Sequence, residues 1–478
     1  MIVLYIALAL VFLLVATVLV RTLLFVPKNE PVGFGDEAKP DAELAVKALR
    51  ELCMCKTISS RDRAEEDDGE FLRFEEKLKE LFPRVHEACE LTRLSDRSLL
   101  YKWSGKAHGA PTVLMSHYDV VSVTAENWEK PPFDGVIEDG VLWGRGTIDT
   151  KNTLSGIMTA AEALISDGFQ PENDIYFAFG GNEEVNGNGA SLIVDYFEKE
   201  GITPAAVIDE GGAVVGNVFP GVKESCALIG IAEKGMLNVE YSVKGGGGHA
   251  SSPKPKTPIG RLSRACVAVE GKPFKFRLTK PAAALFDTVG RHSSFLYRMI
   301  FANLWIFAPV LNLIAKMSGG EMNALLRTTT AFTMMSGSER VNVIPPYATM
   351  ASNHRIIPGE TQATLFDEIK GRVSKTGVTV SLIDGMDPSV VSTTDCEGYS
   401  RICSVIKDTW PEAIVSPYLM VACSDSRHWG RISDKVYRFS AMALSSEERA
   451  TVHGNNERLP LETIVKTAEF YTRIMKHS

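Results

Sequence analysis

Five short segments carry side chains that could hold metal ions. They are Ser116-His117-Tyr118-Asp119-Val120-Val121, Gly144-Arg145-Gly146-Thr147-Ile148-Asp149, Gly181-Asn182-Glu183-Glu184-Val185, Val207-Ile208-Asp209-Glu210-Gly211-Gly212, and the run from Thr451 through His453 to Arg458. Each follows an apolar stretch. In open α/β sheets, sites form outside the carboxyl ends of strands, so ligands far apart in sequence can converge there. The set offers two imidazoles and several carboxylates, which suits zinc and also cobalt or manganese. Two histidines and three carboxylates suffice for two divalent ions if one carboxylate bridges, and the spare acid of Glu183-Glu184 can then act as base. Any one of these residues alone is most simply a surface acid or a satisfied core histidine. Five such segments, each at a strand end and flanked by glycine, are not explained that way.

The elements that must position them alternate. Strand-like runs lie at 112–115, 174–179 and 205–208, and a helix is predicted over 152–166 with a stop at Gly168. Strands alternating with helices predict an α/β domain built on a largely parallel sheet. From 236 the pattern changes to strand, helix, a long insertion, strands at 331–336 and 347–353, a helix at 361–372 and a strand at 377–383. That order predicts a small α+β unit inserted into the first domain, whose pattern resumes near 394. The predicted division is an anchor at 1–26, a linker at 27–40, a catalytic domain at 41–229 and 389–478, and the inserted unit at 230–388. The insertion holds a second apolar stretch, 295–315, containing Arg298, Asn303, Pro309 and Asn312. Such residues suit a spanning helix poorly, so it is read as a helix pair touching the membrane surface.

Composition excludes some functions. The 478 residues are 23% charged and 45% hydrophobic, with a formal net charge of −8 and no sustained basic stretch. That argues against nucleic acid as a partner. Ile2 to Val20 carry no charge, and a helix of that length rises roughly 28 Å, about the thickness of a bilayer core. No basic side chain precedes the run, so a single-pass membrane anchor is favoured over a cleaved signal peptide. Arg21, Lys28 and Lys39 follow it, and the positive-inside bias points to a cytosolic catalytic domain. The eight cysteines form no CxxC pair and read as ordinary thiols.

The motifs HYDVV at 117–121, WEKPPFDGVIEDGVLWGRGTIDTK, GNEEVNGNGA, IDEGG, HASSP, NVIPP, SDSR and VHGNNER resemble those of the M20 family of metallopeptidases. Within it, the chain is most similar to the subgroup of carboxypeptidase S and N-fatty-acyl-amino-acid synthase/hydrolase. The resemblance runs from about residue 41 to the C-terminus. It implies a zinc-peptidase-like catalytic domain with a ferredoxin-like lid, and a hydrolase that cuts an amide bond beside a free carboxylate, as a carboxypeptidase or N-acyl-amino-acid hydrolase. It further implies that His117 and Asp209 hold one ion, that Glu184 and His453 hold the other, and that Asp149 bridges them. Glu183 is then the general base, Asp119 fixes the His117 tautomer, and His249 supplies an oxyanion donor. Asn342 and Arg355 grip the substrate carboxylate, with Asp425 and Arg427 also on the substrate side. Family lids often pair two subunits, which implies a homodimer. Departures fall at Cys423-Ser424, where Asn-Thr is common, and at Asn353, where an acid is common; they touch substrate shape more than metal binding. The competing expectations are a deacylase of N-acyl diamino acids and a membrane-tethered binding protein without turnover.

Overall fold

The computed structural model describes residues 1–478 except positions 29, 96, 217, 218 and 220. An eight-stranded mixed sheet forms the main body. Its order is Glu90–Ser95, Ser98–Trp103, Ile175–Gly180, Thr112–His117, Ala206–Val215, Val436–Leu444, Cys226–Glu233 and Ile414–Met420. The four strands from Ile175–Gly180 to Val436–Leu444 run parallel. Apolar residues alternate along them. Leu114, Phe177, Phe179 and Ile208 pack with the helices Lys151–Ser166 and Leu461–Lys476, whereas Val113, Met115, Tyr176 and Val207 pack with Gly189–Glu200. This period of two covers both faces and brings the carboxyl ends of the parallel strands to one rim.

The predicted helix appears as Lys151–Ser166 and stops before Gly168, whose φ of 74° ends it. The strand expected at 205–208 is longer than its apolar run, continuing through Asp209-Glu210-Gly211-Gly212 to Val215. Two glycines permit this. Gly211 has φ 143°, and a Cβ on Gly212 would collide with the Leu228 carbonyl. The ladder to Val436–Leu444 shifts register there, with Asp209 opposite Arg438 and Gly212 opposite Phe439, which is a β-bulge.

A second, antiparallel sheet has the order Thr329–Ser336, Tyr347–Ile356, Gly235–Lys244 and Thr379–Met386. The helices Pro258–Glu270 and Gln362–Val373 cover one face through Leu262, Ala265, Leu365 and Ile369. Grouping the apolar insertion with this unit follows the chain but not the packing. Ala282, Leu285, Phe286, Leu311 and Ala315 join the main body's core with Tyr418, Leu419 and Met420. The expected helix pair is Phe295–Ala302 and Leu304–Ser318, bent by 113°. Among the described residues one helix, Ile2–Leu24, is by itself long and apolar enough to cross a membrane, and a signal sequence near the N-terminus has the same character. All eight cysteines are free thiols.

Candidate metal centre and active site

His117 closes its strand fully enclosed by protein. Its Nδ1 lies 3.0 Å from the Asp119 carbonyl and 3.4 Å from the Asp119 carboxylate. With the Nδ1 proton held there, Nε2 faces the rim and Asp149, where loss of its own proton frees the lone pair that a metal takes. Nε2 lies 3.0 Å from Asp149 Oδ1 and 3.5 Å from Glu210 Oε1. The other oxygen of Asp149 lies 2.9 Å from His453 Nε2, and Glu184 lies 3.1 Å from that same nitrogen. His453 has φ 58°, a backbone conformation uncommon for residues other than glycine. Asp149 therefore meets two imidazoles through two different oxygens.

The donor set fits divalent cations. Ligand atoms of His117, Asp149 and Glu184 lie within 4.8 Å of one another, as do those of His117, Glu183 and Glu210. Electrostatics point the same way. Burial pushes the Glu183 carboxyl well above the usual range despite His117 nearby, and pushes Glu210 up to about 8 and Asp425 up to about 7. Burial would also raise Asp149, but hydrogen bonds from His117 and His453 hold it well below the ordinary carboxylate range. Crowded buried acids lack countercharge here, which bound cations supply.

Two acids hold the frame. Asp119 is wholly buried, and its carboxylate accepts Ser59 Oγ at 2.7 Å and the backbone N–H groups of Glu183 and Glu184 at 3.1 Å each. It thus orients His117 and fixes the turn carrying the adjacent acids. Glu457, whose role is not legible in the chain, accepts the N–H groups of Gly146 (3.1 Å), Ile148 (2.7 Å) and Asp149 (3.2 Å) and pairs with Arg145 at 2.6 Å. It clamps the loop that presents Asp149. The signal available in the sequence was an acid four residues after His453.

Of the site residues expected from sequence, His117, Asp149, Glu183, Glu184 and His453 come together. At 209–210 the bulged strand turns Glu210, not Asp209, toward His117. The Asp209 carboxylate is buried behind and accepts the Ser426 N–H at 2.9 Å. Arg355 lines the same cavity, about 470 Å³, as Asp149, Glu183, Glu184 and His453. Its Nε donates to Asn353 Oδ1 and its Nη1 to Cys423 Sγ, both at 3.2 Å. Asp425 is buried 3.9 Å from Arg427, whose Nη1 donates to the Ser424 carbonyl at 2.8 Å. His249 and Asn342 stand apart, exposed on the ribbon where Gly248–His249 pairs with Val343–Ile344, and the Asn342 carbonyl accepts the Ala250 N–H at 3.0 Å.

A parallel α/β scaffold with this cluster of histidines and carboxylates at its rim defines a metal-dependent hydrolase. Residues 113–477 match the Peptidase family M20/M25/M40, and the chain belongs to that family. It is 36% identical over 446 residues to a probable carboxypeptidase S-like protein of Dictyostelium discoideum, covering 92% of this chain and 85% of that one. It is 34% identical over 449 residues to an N-fatty-acyl-amino acid synthase/hydrolase of Xenopus tropicalis, covering 92% and 87%. In fold it is similar to the crystal structure of an M20 family metallo-carboxypeptidase from Sulfolobus solfataricus, with a TM-score of 0.67 at 17% identity, covering 90% of this chain and 98% of the other.

Proposed function

We propose that this protein is a two-metal hydrolase that cleaves an amide bond adjacent to a free carboxylate, with N-acyl amino acids or small peptides as substrates. The observation that carries the proposal is Asp149, whose two carboxylate oxygens face His117 and His453 separately. His117 with the acid at 209–210 would hold one ion, Glu184 with His453 the other, and Asp149 would bridge them. The inward direction of Glu210 favours it over Asp209 as the liganding atom. Zinc suits these donors, as do cobalt and manganese. When bound, such ions polarise a carbonyl and bring the pKa of water toward neutrality.

Glu183 faces the cluster without pairing to His453, and its pKa is raised by burial. It takes the proton from the attacking water and returns it to the leaving nitrogen. Arg355 supplies the fixed fork of donors that matches a carboxylate. The cavity lining also includes the apolar Val215, Leu228, Met442, Leu444 and Val452, which suit an aliphatic acyl group or apolar side chain. A binding protein without turnover would have no need of Glu183 beside the ligands. We read the four-stranded unit as the lid. The exposed Met334 and Met335 of its edge strand support pairing of two chains there, an arrangement that can bring His249 and Asn342 over a site. We read Ile2–Leu24 as a retained anchor, with Arg21, Lys28 and Lys39 favouring a cytosolic body.

Zinc-loaded full-length protein assayed on matched N-acyl amino acids, dipeptides and N-acyl amino acid carboxamides tests this. The free acids are expected to turn over and the carboxamides hardly at all. Equal turnover of acid and carboxamide would overturn the substrate class, and no turnover of any of them would overturn the hydrolase.

A further inference from the structure

Away from the metal cavity, the outer face of the helix pair Phe295–Ala302 and Leu304–Ser318 exposes a run of large apolar side chains. Trp305 is 57% exposed and Met317 80%, with Val310, Leu313, Ile314, Phe295 and Leu296 also exposed. Positions 310, 313, 314 and 317 recur at the spacing of one helix face. The opposite face is anchored. Leu311 and Ala315 are buried in the main core, and Asn312 accepts a hydrogen bond from the buried Arg327. A soluble surface rarely gathers so many large apolar side chains without a partner.

The N-terminal helix ends against the bend of this pair. Asn303, at the bend, is 0% exposed. Its Nδ2 donates to the Val18 carbonyl and to Thr22 Oγ1, both at 3.2 Å. Arg21 donates through Nε and Nη2 to the Ala302 carbonyl at 3.2 and 3.1 Å. Arg291 stacks 4.3 Å over the Phe25 ring and donates to the Val26 carbonyl at 2.9 Å. The last turns of the helix are therefore bonded to the body, while the remainder stands free, with only 6% of its most apolar window buried. A loosely tethered body could float clear of a bilayer. A body bonded to the root of the span cannot. Whatever depth the root of that helix adopts, the apolar face beside it shares.

We propose that the helix pair Phe295–Ser318 is seated in the same leaflet as the root of the N-terminal helix, its exposed face covered by lipid acyl chains. The proposal rests on reading Ile2–Leu24 as a retained anchor. The pair does not cross the bilayer. Its helices have 8 and 15 residues and meet at 113°, whereas a span needs about 20 consecutive residues. It lies in the interface as amphipathic helices do. Lys316, exposed on the second helix, would meet headgroups, where long basic side chains are favoured. The membrane-facing helix also leads into the site. It runs through Gly319 into Gly320–Leu326, whose Glu321 accepts Tyr418 Oη at 2.7 Å, pairs with Arg449 at 3.3 Å and lines the metal cavity. Seating the pair in lipid sets that wall at the bilayer surface, where amphiphilic substrates concentrate.

The test uses full-length protein in phosphatidylcholine liposomes. The emission of Trp305 is obtained as the difference between wild type and Trp305→Phe. Lipids brominated along the acyl chain should quench that difference several-fold more than acrylamide does. Leu313→Glu with Met317→Glu should reduce the lipid quenching while leaving hydrolysis of a short, water-soluble substrate unchanged. Trp305 quenched by acrylamide as a free exposed indole would overturn the proposal. Protection from both quenchers would overturn it too, and would indicate a protein on this face, such as a second copy. N-terminal sequencing of the same sample separates the two readings. A chain beginning near residue 25 refutes the anchor, and the seating with it, whereas an intact start with an acrylamide-quenched Trp305 refutes the seating alone.

Discussion

Arg355 offers a measurable test of the substrate class. Its side chain is half-buried at the wall of the metal cavity, and its partners are the Asn353 amide oxygen and the Cys423 sulfur. Among the described residues no carboxylate lies within ion-pair distance of it. Lys234, close enough to interact with it, supplies no anion either: burial, and then Arg355 itself, push that amine down to about 7. A guanidinium in such a setting has unmet capacity for an anion, and a substrate carboxylate meets it in two parallel hydrogen bonds. Truncating one partner of a desolvated charge pair costs about 2–5 kcal/mol. At tenfold per ~1.4 kcal/mol, Arg355→Ala should lower kcat/KM roughly thirty- to several-thousandfold on an N-acyl amino acid. Metal content should remain at the wild-type level, because no liganding atom is touched. On the matched carboxamide the variant should equal wild type, since that substrate never used the charge. Four kinetic measurements, two proteins on two substrates, isolate the contact. Equal losses on acid and amide would refute the reasoning and make Arg355 a structural residue of its strand.

Glu183→Gln should keep its metals and lose about 10²–10⁴ in turnover, the usual worth of a general base, whereas Glu184→Gln should lose metal; the reverse result would exchange the two roles. Glu210→Gln should lose more metal than Asp209→Asn by elemental analysis, and equal retention in the Glu210 variant would return the ligand role to Asp209. Glu457→Ala should destabilise the protein by about 3–5 kcal/mol in denaturant unfolding, because Arg145 is left buried and unpaired; a change under ~1 kcal/mol would show the clamp to be unimportant. Hydrogen bonds donated to Asp149 and Glu184 push His453 up to about 10 in the metal-free protein. Its imidazole is then protonated at neutral pH and must lose that proton to bind metal. Zinc binding should release protons at pH 7.5 and weaken as pH falls; calorimetry in two buffers of different ionisation heat would detect no release if this is wrong.

The chain by itself determined the scaffold and the ligand types. Continuous apolar runs such as 175–179 can be buried on both faces only in a covered sheet, and the helix ending before Gly168 carries its own stop. His117, Asp149 and His453 stood out because metal donors of that kind rarely cluster after apolar runs by chance, whereas choosing Glu184 over Glu183 as the ligand came from the family resemblance alone. Adjacent acids are different. Asp209 and Glu210 are equivalent donors in one dimension, and which of them faces the metals depends on the bulge that Gly211-Gly212 opens against Leu228. Glu457 is likewise one more acid until the backbone amides of Gly146, Ile148 and Asp149 are folded onto it. The apolar insertion looked like part of the second unit because it lies within that unit's sequence, yet it packs on the main body, since Leu311, Ala315 and Phe286 find their apolar partners around Tyr418–Met420. Local pattern encodes which elements form and which side chains are reactive. Direction of a side chain, and choice among neighbours of like chemistry, are set by contacts between residues hundreds of positions apart.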